Sequence, residues 1–105
     1  MGVVISFKVR GQRLERTNTA RPVAGSKRGY VTCRFDMDEE WGSAKVAVSF
    51  FDKGGTEHAM LMSQEGTCPV PDAVTDGNLF RVQLTGDFGG SRASTNKVAV
   101  IQEVL

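Results

Sequence analysis

The side chains able to do acid–base or covalent chemistry in this chain are few and widely spaced. There is one histidine, His58, and there are two cysteines, Cys33 and Cys68. Histidine is the usual proton carrier near neutral pH. His58, however, falls inside a strand-like run, either in phase with Met60 and Met62 or pointing outward while Glu57 turns in. Both placements make it a packing or surface residue. A nucleophilic serine or cysteine needs a base beside it. No serine stands in a nucleophile elbow, and neither cysteine has a histidine nearby in sequence. Catalysis would require His58 to meet a cysteine or paired acids in space, and no catalytic residue is expected.

Metal and phosphate chemistry fare no better. Asp36, Asp38, Glu39 and Glu40 supply oxygens of the kind that calcium takes in sets of six to eight. Their spacing lacks the glycine and the distal glutamate of a helix–loop–helix calcium site, so they describe a solvated acidic turn. Zinc needs paired ligands at close spacing, whereas Cys33, His58 and Cys68 are scattered. The triplet Asp87-Phe88-Gly89 occurs in kinases but stands here without any other kinase element. Gly11, Gly25 and Gly29 do not open a helix as a phosphate-binding loop would. No metal and no cofactor is expected.

At 105 residues the chain has room for one domain, residues 1–105. A domain of this size buries roughly 60–70% of its unfolded surface, enough for one modest core. With 40% hydrophobic and 24% charged residues the composition is that of a globular domain. No apolar run approaches the roughly 20 residues a membrane-spanning helix needs, and Met1 to Val9 describes a first strand, not an export signal. Two cysteines are too few for a disulfide scaffold. Both alternate with core-like neighbours, Cys33 with Val31 and Phe35 and Cys68 with Val70, so they are expected as buried, reduced thiols.

Net charge is only +1, which argues against duplex nucleic acid as a partner. The charges are nevertheless segregated. Lys8 to Arg34 holds eight bases (Lys8, Arg10, Arg13, Arg16, Arg21, Lys27, Arg28, Arg34) and one acid, Glu15. Phe35 to Asp76 holds nine acids (Asp36, Asp38, Glu39, Glu40, Asp52, Glu57, Glu65, Asp72, Asp76) and two bases, Lys45 and Lys53. Either neighbouring strands carry complementary outer faces, or opposite patches meet between subunits. Single-stranded nucleic acid would need aromatics interleaved with the bases. Phe7, Phe35 and one of Phe50 and Phe51 fall in phase with aliphatics instead, leaving Tyr30 and Phe88.

The elements that must position these residues are short strands. Val3, Ile5, Phe7 and Val9 share one face, and after the Arg10-Gly11 turn Leu14 points inward from a second strand. An irregular basic loop, Asn18 to Gly29, leads to strands at about 30–36 and 44–52. Lys53-Gly54-Gly55 signals a hairpin into Thr56–Met62. Gly66 to Val70 is brief, Pro71 starts one turn closed by Asp76-Gly77, and Asn78 to Gly86 alternates strongly. Ser94 to Val104 completes the chain as one long strand. Strands at this spacing, joined by glycine and proline turns, describe an all-β, immunoglobulin-like antiparallel sandwich of about seven to nine strands with no long helix. The Cys33, Trp41, Cys68 order superficially matches antibody domains, but the second cysteine comes too early for their disulfide.

Between the two central strands lies Phe35-Asp36-Met37-Asp38-Glu39-Glu40-Trp41-Gly42. The only tryptophan arrives at the end of an acidic turn, where it is placed to fill the gap between two sheets. With Val46 to Phe51, Cys68-Pro69-Val70-Pro71 through Val74, Gly77, Phe80 through Gly86 and Ser94-Thr95-Asn96, this pattern resembles a family of small β-sandwich modules. They occur in tail, baseplate and related minor structural proteins of bacteriophages and prophages from Gram-positive hosts. The resemblance covers about residues 30–105. It implies a virion-associated assembly module without catalysis, found in the virion and in the host cytoplasm during assembly. Its partners would be other tail proteins and further copies of itself, not nucleic acid or membrane. Trp41, Phe35, Pro71 and Gly77 are then structural. Arg21, Lys27, Arg28, Asp36, Asp38, Glu39 and Glu40 are the candidate polar contacts. The competing expectation is a carbohydrate- or cell-surface-binding sandwich, which would need Tyr30, Trp41 and Phe88 exposed and coplanar.

Overall fold

The computed structural model describes residues 2–42 and 44–105. Alternation of apolar and polar side chains builds nine strands: β1 (Val3–Arg10), β2 (Arg13–Arg16), β3 (Val31–Met37), β4 (Lys45–Phe51), β5 (Glu57–Leu61), β6 (Thr67–Pro69), β7 (Leu79–Asp87), β8 (Arg92–Ser94) and β9 (Val98–Ile101). Among the described residues the only helical pieces are single 3-10 turns at Glu39–Trp41 and Asp72–Val74. The strands form two sheets, ordered β2-β1-β3-β6 and β5-β4-β7-β8, with β9 also pairing β7. They pack as an all-β sandwich.

The core is what the period-two pattern demands. Ile5, Phe7, Val9, Leu14, Val31, Cys33 and Phe35 point in from one sheet, and Val46, Val48, Phe50, Phe80, Val82, Leu84 and Val100 from the other. Phe7 stacks on Phe35 with centroids 5.1 Å apart, a favourable aromatic geometry. Phe50 is the inward member of its pair. Phe51 faces out, with the Lys97 ammonium 4.1 Å above its ring.

One pairing departs from the antiparallel expectation. β1 and β3 run parallel, from Val3 opposite Val31 to Val9 opposite Met37. β2 already occupies one edge of β1, so the chain must cross to the other edge, and a parallel crossover needs a dozen or more residues. The basic loop supplies them. On its way it ties the sheets together: Ala24 and Glu103 bond through Ala24 N–H to Glu103 O at 2.8 Å, and Gly25 N–H donates to Thr75 O at 2.6 Å.

The expected last long strand is also two. Thr95 breaks it by bonding β7 with its side chain. Leu84 N–H donates to Thr95 Oγ1 at 3.1 Å, while Thr95 N–H donates to Leu84 O at 2.9 Å. The kink aims Asn96 across to the other sheet. There its amide accepts Leu14 N–H at 2.8 Å and donates to Leu14 O at 3.1 Å. One side chain thereby satisfies both outward groups of an edge residue. Asn96→Ala should cost about 1–3 kcal/mol, the usual penalty of leaving such groups unpaired. Urea denaturation would show it as a lower midpoint with an unchanged slope.

Pro71 and Gly77 bracket the crossover into β7. Pro71, at φ −67° and ψ 145°, delivers the chain into the Asp72–Val74 turn. Gly77 is buried, and its carbonyl accepts the Gln102 amide at 2.8 Å.

Candidate docking edge

Trp41 is carried into the interior by the Glu39–Trp41 turn and is 1% exposed. Its indole Nε1–H donates to Gly11 O at 2.7 Å, which fixes the ring against the β1–β2 hairpin. The Phe88 ring meets it edge-on, with centroids 5.1 Å apart and planes at 75°. The seat for the indole is Gly86, the next inward position after Phe80, Val82 and Leu84. A Cβ on Gly86 would lie 2.7 Å from Trp41 Cζ3. Glycine where the strand pattern calls for bulk is the mark of a close approach, and it is the signal that sequence reasoning passed over. Tyr30 is 51% exposed but precedes β3, whereas Trp41 follows it. The three aromatics therefore form no coplanar platform.

The candidate polar contacts sit at opposite ends of β3. The basic loop precedes this seven-residue strand and the acidic turn follows it, a separation of roughly 20 Å at strand rise. Much of their charge is used within the chain. Lys27 Nζ reaches Asp76 Oδ1 at 2.7 Å and also donates to Asp72 O at 3.1 Å. Arg28 N–H donates to Asp72 Oδ1 at 2.9 Å, in a left-handed conformation with φ 58°. Arg10 pairs with Asp36 at 3.4 Å, and Asp38 Oδ2 accepts Gly11 N–H at 2.8 Å. Arg21, Glu39 and Glu40 stand on the surface.

Residues with latent chemistry are held in structural roles. Cys33 and Cys68 face each other across β3 and β6 and are fully buried. Burial pushes the Cys33 thiol far above its ordinary range and the Cys68 thiol up to about 11, which suppresses the reactive thiolate. His58 Nε2 lies 3.4 Å from Asp52 Oδ2. Among the described residues no three histidine, cysteine or acidic side chains gather as a metal site, and no helix is long and apolar enough to cross a membrane.

Asp52 closes the β4–β5 hairpin. The Thr56 N–H, the His58 ring and the Gly54 N–H hold its carboxyl below the ordinary carboxylate range. The unfolded chain therefore binds this proton more readily than the folded one, so stability rises with pH across the interval between the two pKa values. Asp52 supports the fold above its unfolded pKa and ceases to do so as pH falls through the lowered folded value. Asp52→Asn should flatten the acid limb of a stability–pH curve measured by urea denaturation.

What the sequence did not disclose is how differently the sheet edges are finished. An open edge presents unpaired N–H and C=O groups to any passing strand, and proteins usually blunt it. Asn96 closes Leu14 on β2. The Asn18 amide closes β1 beyond β2, accepting Ser6 N–H at 3.1 Å and donating to Val4 O at 2.9 Å. On β6, Ser63 takes Thr67 N–H through its hydroxyl at 3.0 Å and gives its own N–H to Thr67 O at 2.9 Å. Pro69, also on β6, has no N–H to offer. The β8–β9 edge is broken at Thr95, and its end at Glu103 is covered by Pro22–Ala24.

β5 has none of these devices. It pairs β4 with His58 opposite Phe50 and Met60 opposite Val48. Flanking bonds from Asp52 N–H to Thr56 O and from Met62 N–H to Val46 O show that the even-numbered residues bond to β4. Alternation then turns the N–H and C=O groups of Glu57, Ala59 and Leu61 away from the sheet. Among the described residues no strand pairs that side. Leu61 is 79% exposed, between a groove of about 440 Å³ that includes Met37, Met62 and Val46 and a smaller one of about 240 Å³ that includes Thr85 and Arg92. The strand's one acid is drawn back onto its own sheet, because Ser49 Oγ bonds Glu57 Oε2 at 2.5 Å. The rim carries a single acid, Glu57, at one end and is apolar at the other, at Leu61. No protein-family model matches the chain, and no curated protein matches it either.

Proposed function

We propose that this chain is a virion-associated structural module of a phage or prophage, working without catalysis in tail, baseplate or appendage attachment, and that it docks through β5. The observation that carries the reading is the contrast between edges. β1, β2 and β6 are closed by side chains or proline, while β5 is left open with Leu61 at its end. Strand addition to an open edge gains main-chain hydrogen bonds, and the flanking grooves sort the incoming side chains. The sequence resemblance supplies the setting of virion and host cytoplasm. The filled interior, with Trp41 occupying the space between the sheets, favours a binding role over a reaction cleft.

Mass spectrometry of nuclease-treated, gradient-purified particles tests this. The reading requires the chain to be present in stoichiometric amount and lost from particles when Ala59→Lys places a charge on the β5 rim. Particles that assemble and infect without the chain would overturn it.

A further inference from the structure

Resting on that docking reading, we infer that the occupant of the β5 edge is a second copy of this chain, joined by antiparallel β5–β5′ pairing about a two-fold axis at Ala59. Glu57, Ala59 and Leu61 each offer one N–H and one C=O outward. When two such strands meet antiparallel and centred, Glu57 faces Leu61 of the second copy and Ala59 faces its own counterpart. Leu61 then faces Glu57 of the second copy. In this register every outward group of all three residues finds a partner, and the interface is isologous, as a closed dimer requires.

Shifting the register loses bonds and meets like groups. A slip that opposes Glu57 to itself sets two carboxylates face to face, which is unfavourable on a sheet. The centred register instead lays Leu61 over the aliphatic stem of Glu57, whose carboxylate Ser49 holds toward β4. On the inward face it sets His58 against Met60. His58 has Asp52 at 3.4 Å on its own chain as its charged neighbour, so no charge is buried unpaired at the seam. The result joins the two β5–β4–β7 sheets into one continuous sheet.

Light scattering on the purified chain, carried to concentrations on the order of 1 mM where weak self-association is visible, reads the outcome. The expected mass rises toward twice the 11.4 kDa of one chain. Amide exchange at Glu57, Ala59 and Leu61 should slow in step with concentration, while exchange elsewhere on the surface does not. Ala59→Pro removes one outward N–H at a position where an edge strand tolerates proline, and Ala59→Lys brings two ammonium groups together at the axis. Both should hold the mass at one chain, with the far-ultraviolet circular dichroism spectrum unchanged.

A wild-type chain that stays at one mass across the range overturns self-pairing. If particles still take up that wild-type chain and reject Ala59→Lys, the edge docks a different virion protein, and only the second-copy inference falls. If particles take up both equally, the docking reading falls with it.

Discussion

Replacing Trp41 with alanine should lower stability by about 3–5 kcal/mol, the range for truncating a large buried aromatic. For a domain of this length that moves the thermal midpoint down by roughly 15–30 °C. Three losses coincide at the site. The indole is 1% exposed, so its removal opens a cavity that the two sheets cannot both collapse into. Gly11 O loses the donor that reaches it at 2.7 Å. Phe88 loses the ring face against which its edge is packed. Trp41→Phe separates these terms, because it keeps an aromatic ring but removes the N–H. Its cost should be about 1–3 kcal/mol, set by the unpaired carbonyl and the residual void. Urea denaturation followed by circular dichroism measures both. A Trp41→Ala midpoint close to wild type would mean that the sheets hold together without this residue.

The strands that alternate cleanly were legible from residue order, and for a plain reason. β1, β3, β4 and β7 each bury one face, so Ile5-Phe7-Val9, Val31-Cys33-Phe35, Val46-Val48-Phe50 and Phe80-Val82-Leu84 announce both strand and facing. Trp41 was legible as interior because a lone large aromatic closes an acidic turn between two such runs. The pairing of β1 with β3 was not, because whether they run parallel depends on the path of a fourteen-residue connection, Thr17 to Tyr30, with no periodicity of its own. The break at Thr95 was hidden for a different reason. A threonine hydroxyl and an asparagine amide take over bonds that the ladder would otherwise make, and nothing in a polar triplet such as Thr95-Asn96-Lys97 states which partner it will find.

The open β5 edge was the least visible feature of all. Met60 and Leu61 alone suggest a half-buried strand. The opportunity at β5 appears only when Asn18, Asn96 and Ser63 are seen to close the edges of the facing sheet. The segregated charges pointed elsewhere, to the basic loop and the acidic turn. Several of those residues serve the chain's own connections. Lys27 braces the Asp72–Val74 turn, and Asp38 holds the hairpin at Gly11. Complementary charge along a sequence is thus first a statement about which loops lie together.

Gly86→Ala should also destabilise the fold, and its cost should depend on residue 41. The added methyl would sit 2.7 Å from Trp41 Cζ3 and 2.8 Å from Phe88 Cε2, closer than side-chain carbons pack. Phe88 is only half-buried and can swing aside. Trp41 cannot do so cheaply, because its indole is tethered to Gly11 at one end and sealed between the sheets at the other. Overpacking of this kind costs about 1–3 kcal/mol. In a Trp41→Phe background the smaller ring no longer reaches Gly86, and the methyl instead fills part of the vacated space. Gly86→Ala should there be nearly neutral. The double-mutant cycle should therefore show the two changes together costing less than their sum, by about 1–3 kcal/mol, the scale of direct contact coupling. Additive costs would mean that Gly86 is needed for its backbone alone, and that the indole does not sit on it.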